Sequence, residues 1–123
     1  MADRPIRVIH PTDAVKVVFG AGDEYRYLAT GKSTDGEHFL VEATVPPGGG
    51  PASHIQTREE EAFYIFEGQL TFYGHDGEIT AGPGNYLNIP KGAKHRFHNN
   101  TERTAKMLFF FAPAGIEGLF DDF

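Results

Sequence analysis

Apolar and polar residues alternate along several short segments of this sequence, and turns rich in glycine and proline separate the segments. In the clearest case every second residue from Phe39 to Val45 is apolar, and the proline- and glycine-rich stretch 46–51 follows at once. Successive side chains of a β-strand point to opposite faces, so this alternation predicts a strand with one buried face. No window of ten or more residues shows the periodicity of an amphipathic helix.

The same pattern predicts further strands along the chain. They lie at residues 15–19, 25–30, 62–67, 70–73, 78–80, 86–89, 95–98 and 107–111. Short strands separated by regular turn signals are typical of an antiparallel sandwich or barrel. We therefore predict one all-β domain over residues 1–123, with a single helical turn at residues 116–120.

Composition and charge limit the partners of the chain. Its 123 residues suit one domain with one core, and the 17 acidic and 11 basic residues leave a net charge of −6. Nucleic acids and anionic membranes are bound by basic patches, so neither is expected as a partner. The absence of cysteine excludes disulfides and thiolate chemistry. No apolar leader or membrane-length apolar segment is present, so we expect a cytoplasmic protein.

Four polar residues form a candidate metal site. His54 and Gln56 are two residues apart and would point to the same face of a strand. Glu61 shares the face of Phe63 on the next strand, and His95 shares the face of Phe97 on a later one. Imidazole nitrogen and carboxylate oxygen both bind divalent transition metals, and an antiparallel fold could bring these strands together.

Two stretches of the sequence resemble the two motifs of the cupin family. Residues 48–68 hold the first motif, in the order Gly48, five residues, His54, one residue, Gln56, four residues, Glu61, six residues, Gly68. Residues 84–99 hold the second, in the order Gly84, five residues, Pro90, one residue, Gly92, two residues, His95, three residues, Asn99. The resemblance implies a small antiparallel β-barrel of the jelly-roll type, with the motif residues meeting inside it.

The resemblance also implies a cofactor. In cupins the positions of His54, Gln56, Glu61 and His95 bind a divalent metal ion, which could be Fe, Mn, Ni, Co or Zn. Glu61 is then also the candidate catalytic residue, as a general base. The second ligand position is usually histidine, and glutamine is a weaker donor, so we expect a lower metal affinity and an altered redox potential. Gln56 has two alternative roles, which are to hold a water molecule or to bond a ligand.

The stretch from Pro46 to Gly68 is most similar to single-domain relatives of quercetin dioxygenase. That similarity implies an oxidoreductase, a metal-dependent dioxygenase that acts on a small aromatic or enol-type compound. Two alternatives stay open, namely a non-catalytic module that binds a small molecule and a sugar isomerase or epimerase. The candidates for lining a substrate pocket, for which packing in the core is the alternative role, are Phe63, Ile65, Phe97, Met107 and Phe109.

Family habit and the many aromatic residues also predict a homodimer. Aromatic side chains are enriched at protein interfaces. The tyrosines that we expect at such an interface are Tyr25, Tyr27, Tyr64 and Tyr73.

Overall fold

A computed structural model describes residues 4–20, 22–52, 54–75 and 77–115, and their regular structure consists of strands alone. The strands are β1 (Val17–Gly20), β2 (Asp23–Ala29), β3 (Phe39–Val45), β4 (Glu60–Glu67), β5 (Leu70–Gly74), β6 (Gly77–Ala81), β7 (Tyr86–Ile89), β8 (Arg96–His98) and β9 (Ala105–Ala112). Every pairing between them is antiparallel, so the predicted all-β fold is confirmed. The helical turn predicted at 116–120 lies outside the described residues.

The strands form two sheets. The larger has the order β1-β2-β3-β9-β4-β7, and the smaller has the order β6-β5-β8. The last strand, β9, lies between β3 and β4, so it joins the two halves of the larger sheet. The strands β6 and β7 follow each other in the chain, yet each is the edge of a different sheet. In the part of the chain that the structure describes, no helix has the length and apolar character needed to span a membrane.

The predicted alternation is confirmed on β3, where Phe39, Val41, Ala43 and Val45 are completely buried. It fails to predict burial on β1. Val17 and Phe19 expose 39% and 66% of their surface, because they lie on the outer face, opposite Arg26 and Glu24 of β2. Val18, opposite the buried Tyr25, is the β1 residue that packs against the core.

An aromatic cluster joins the inner faces of the two sheets. The ring of Phe63 on β4 lies 4.7 Å from that of Phe109 on β9, 5.2 Å from that of Phe72 on β5 and 6.4 Å from that of Phe97 on β8. These are the ring separations of favourable aromatic pairs. The five residues expected to line a substrate pocket all lie in this packed core, at 2% exposure or less: Phe63, Ile65, Phe97, Met107 and Phe109.

The four tyrosines expected at a dimer interface occupy different environments. Tyr25 and Tyr27 are core residues at 1% and 4% exposure, so their proposed place at an interface is wrong. Alternate residues of β2 face the core, and Tyr25 and Tyr27 are two of them. Tyr64 is 44% exposed on β4 and remains accessible.

A buried carboxylate ties β2 to the glycine-rich loop 46–51. Asp23 is fully buried, and it accepts hydrogen bonds from the Tyr25 hydroxyl at 2.7 Å and from the Gly50 N–H at 3.1 Å. A Cβ at Gly49 would collide with this carboxylate, so glycine is required there. Burial raises the pKa of Asp23 above its ordinary value, although both hydrogen bonds favour the charged form.

This arrangement predicts a pH-dependent effect of Tyr25→Phe. The folded state holds the Asp23 proton to a higher pH than the unfolded chain does, so the contribution of Asp23 to stability is largest in acid and falls as pH rises through its folded pKa. Removal of the Tyr25 hydroxyl raises that pKa further. We expect the variant to lose about 1.5–3 kcal/mol of unfolding free energy at pH 7, and less in acid.

Urea unfolding at several values between pH 4 and pH 7 measures this difference. Tyr64→Phe is the matched control, because its exposed hydroxyl should contribute within about 0.5 kcal/mol. An equal loss for Tyr25→Phe at every pH would contradict the assigned bond to Asp23.

Candidate functional site

A backbone bridge between the two motifs decides which side chains face the barrel interior. The Ile55 N–H donates to the His95 carbonyl at 2.6 Å, and the His95 N–H donates to the Ile55 carbonyl at 2.8 Å. Residues opposed in an antiparallel bridge point to the same side, so Ile55 faces inward with His95. Ile55 is half-buried and Thr57, two residues on, is buried, whereas His54 and Gln56 are exposed on the other side.

Three of the inward side chains form a buried polar chain. His95 Nε2 lies 2.9 Å from Glu61 Oε2, and both side chains are almost inaccessible to solvent. The Thr57 hydroxyl donates to Glu61 Oε1 at 2.5 Å. The ring of Phe63 lies edge-on to the imidazole, with 6.0 Å between the ring centroids.

The partners of His95 indicate its charge. Nδ1 lies 3.2 Å from the Ala93 carbonyl and Nε2 faces the Glu61 carboxylate, so both ring nitrogens have acceptors as partners. A ring that donates from both nitrogens is an imidazolium. Burial alone would lower the pKa of His95, but the hydrogen bond and negative charge of Glu61, together with the Ala93 carbonyl, outweigh burial and raise it. We call this the Glu61–His95 ion pair.

Gln56 connects the first motif to the second. Its Nε2 donates to the Gly92 carbonyl at 2.7 Å, and the Gly92 N–H donates to the Thr57 carbonyl at 2.8 Å. The amide therefore holds the exposed side of the 54–58 segment against the turn that precedes His95.

His54 lies in a groove on the outer face of the smaller sheet. The groove has a volume of about 500 Å³, and Tyr73, Glu78 and Arg96 line it with His54. Tyr73 and Arg96 are opposed across β5 and β8, and the Arg96 guanidinium lies 4.7 Å from the centre of the Tyr73 ring. By parity this is the face opposite to Phe72 and Phe97.

Of the four predicted metal ligands, the structure brings together Glu61 and His95. His54 and Gln56 share one side of their segment, as their spacing predicts, but that side is the exterior. Within the described ranges, no three His, Cys, Asp or Glu side chains converge as a metal-binding group. Both nitrogens of His95 and both oxygens of Glu61 already have protein partners, so the donors as arranged do not fit a metal ion.

A mostly apolar cavity of about 440 Å³ lies between the edge strands β6 and β7, and we call it the β6–β7 slot. The residues of its walls and rim include Phe72, Tyr73, His75, Ile79, Tyr86, Leu87, Asn88, Ile89, Pro90, Lys94 and, as its most buried member, His95. None of its described lining residues is acidic. The slot is not predicted from the sequence, because strand patterns do not tell which two sheet edges lie side by side. The sequence signal for it is limited to the apolar residues of these two short strands, such as Ile79, Leu87 and Ile89.

Two antiparallel sheets around one aromatic core, with a cavity at their open edge, define a jelly-roll barrel. The family model "Cupin domain" matches residues 41–111, and the chain belongs to the cupin family. It is 33% identical over 103 residues to a quercetin 2,3-dioxygenase from Bacillus subtilis, a match that covers 83% of this chain and 29% of that protein. It is 32% identical over 72 residues to a β-D-galactosidase from Mycobacterium tuberculosis, covering 58% of this chain and 62% of that one.

Solved structures show the same fold at lower sequence identity. The polyketide cyclase RemF from Streptomyces resistomycificus superposes with a TM-score of 0.76 at 24% identity, over 88% of this chain and 80% of that one. An RmlC-like cupin from Shewanella frigidimarina gives a TM-score of 0.74 at 13% identity, over 96% of both chains. A sugar phosphate isomerase from Silicibacter pomeroyi gives a TM-score of 0.64 at 23% identity, over 74% of this chain and 59% of that one. The jelly-roll fold implied by the motifs is therefore confirmed.

The ion pair predicts a change in histidine titration. In Glu61→Gln the charge that raises the pKa of His95 is lost while burial remains, so the pKa should fall. In the wild type, His95 adds stability at pH values below its pKa in the unfolded chain, and that stability is lost as pH rises through the higher folded pKa. The variant should lose this pH dependence.

Nitrogen-15 NMR of the histidine rings measures the pKa directly. Glu67→Gln removes an exposed carboxylate from the same strand and is the matched control. An unchanged His95 titration in Glu61→Gln would show that the carboxylate does not hold the proton on the ring.

Proposed function

We propose that this cupin binds a small aromatic or enol-type compound in the β6–β7 slot. The observation that carries the proposal is a mostly apolar cavity of about 440 Å³ with the His95 ring as its most buried polar group. Ligand pockets of drug-sized molecules typically have volumes of roughly 300–1,000 Å³, so the slot suits a compound of one to three rings.

The walls of the slot favour a flat apolar ligand. Phe72 and Ile79 are opposed across β5 and β6 and therefore share a face. Leu87 and Ile89 of β7, which pack against the core, supply the facing wall. A planar ring between these walls would bury apolar area on both of its faces.

The charges around the slot favour an anionic oxygen on the ligand. Lys94 and His75 line it beside His95, whose charge Glu61 already balances, and none of the described lining residues carries a carboxylate. A phenolate or an enolate complements that set.

The proposal predicts that Ile79→Ser weakens ligand binding. Ile79 is 63% exposed on an edge strand, so its replacement should leave the fold intact while it removes part of one wall. Loss of that contact should cost about 1–1.5 kcal/mol, which corresponds to a roughly tenfold rise in Kd.

Calorimetric titration with a panel of flavonols and simpler phenols, in buffer with chelator, measures this effect. Val17→Ser on the edge strand β1 is the matched control, because it also truncates an exposed β-branched residue outside the slot. Equal affinities of wild type and Ile79→Ser would place the ligand elsewhere, and a panel without binding would remove the proposal.

A metal-dependent dioxygenase is the second candidate function. The 33% identity with quercetin 2,3-dioxygenase favours it, and its metal ligands would be the predicted set His54, Gln56, Glu61 and His95. That set requires His54 and Gln56 to turn from the exterior to the side of Glu61. Oxygen uptake with the flavonol panel, by protein dialysed against each candidate metal, tests this activity. Ligand binding without metal-dependent oxygen uptake would support the first candidate and remove the second.

A sugar isomerase or epimerase has less support. Sugar hydroxyls require many hydrogen-bonding partners, and the facing walls of the slot are mainly apolar. The homodimer stays a prediction of the family resemblance. The surface that a second copy would cover is the outer face of the larger sheet, where Tyr64, Phe66 and Phe110 are exposed.

A further inference from the structure

We infer that the Glu61–His95 ion pair takes the place of the metal ion of the family pattern in this chain, and that Gln56 is the positioning residue that sets this arrangement. This arrangement of the barrel interior is independent of which compound the β6–β7 slot binds.

The register of the first motif is the first observation. Ile55 and His95 exchange two backbone hydrogen bonds, and this pairing directs Ile55 and Thr57 inward. For His54 and Gln56 to reach Glu61, the segment must rotate by one residue and break both bonds. In the observed register, segment 54–57 therefore directs neither His54 nor Gln56 toward the interior.

The occupied donor atoms are the second observation. Glu61 accepts from Thr57 through one oxygen and contacts His95 through the other, while the second nitrogen of His95 faces the Ala93 carbonyl. A metal ion would have to displace each of these partners before it could bind the two side chains. No described side chain nitrogen or oxygen that is buried lacks a hydrogen-bonding partner, so the pair is already satisfied.

Gln56 supports this register through its side chain. Its amide nitrogen donates to the Gly92 carbonyl on the exterior. The Gly92 N–H in turn donates to the Thr57 carbonyl, so two hydrogen bonds join this segment to the turn before His95. The amide nitrogen of glutamine is a permanent donor that binds no metal, and the amide oxygen is a weaker metal ligand than imidazole. A histidine at this position would offer a nitrogen lone pair that a metal ion can coordinate, which would stabilise the inward orientation instead.

Metal analysis of untagged protein tests the inference. Wild type, Gln56→His, Gln56→Leu and the control Gln69→Leu are dialysed against Zn²⁺, Mn²⁺, Fe²⁺, Co²⁺ or Ni²⁺, and bound metal is measured by elemental analysis. Gln69 is an exposed glutamine between β4 and β5, so its replacement makes the same chemical change outside the site. Melting temperatures with metal and with chelator give a second readout.

Wild type and the control should hold much less than one equivalent of metal, and their melting temperatures should be insensitive to chelator. Gln56→Leu should melt lower by roughly 2–6 °C, through loss of one hydrogen bond, without gaining metal. Gln56→His should bind metal at least roughly tenfold more tightly than wild type. At a hundredfold excess over Kd, that metal should raise its melting temperature by roughly 10 °C.

One equivalent of metal in the wild type, lost in His54→Ala, would overturn the inference and support the dioxygenase set. A Gln56→His protein that gains no metal would remove the role assigned to Gln56. Ligand binding in the β6–β7 slot is measured with chelator present. A failure to bind ligand is therefore distinguishable from either outcome of the metal analysis.

Discussion

The contact between Phe63 on β4 and Phe109 on β9, with Phe72 and Phe97 packed from the opposite sheet, is the interaction on which the candidate site depends. Burial of these rings fixes which face of β4 and β8 points inward, since a shift of one residue would turn every side chain to the other face. Glu61 lies two residues before Phe63, and His95 lies two residues before Phe97. The aromatic core therefore places the carboxylate and the imidazole on the inside, opposite each other.

Two buried charged groups are stable in such a core only when each is paired and hydrogen-bonded. Thr57 and the Ala93 carbonyl supply the additional bonds that the Glu61–His95 ion pair needs. Truncation of one member would leave the other as an unpaired buried charge, which is why conservative substitutions are the informative ones here. The pair also gives the apolar β6–β7 slot one strongly polar point at its most buried position.

The fold alone does not choose among the reactions that cupin relatives perform. The proteins similar to this chain include a dioxygenase, a galactosidase, a polyketide cyclase and a sugar phosphate isomerase. One architecture supports these activities because the barrel fixes inward positions while the side chains at those positions differ. In this chain the distinguishing features are Gln56 in the first motif and the apolar walls of the slot.

The sequence by itself determined the strands and the inward parity of Glu61 and His95. Alternation is a local property, so the prediction for residues 39–45 agrees with β3 at both ends, and the shared faces of Glu61 with Phe63 and of His95 with Phe97 follow from spacing alone. Spacing also shows that His54 and Gln56 share a side. Only the tertiary structure decided that this side is the exterior, because the Ile55–His95 bridge joins segments 40 residues apart in sequence and no local pattern specifies its register. The β6–β7 slot has the same origin, since it arises from the packing of two sheets whose adjoining edges alternation does not predict.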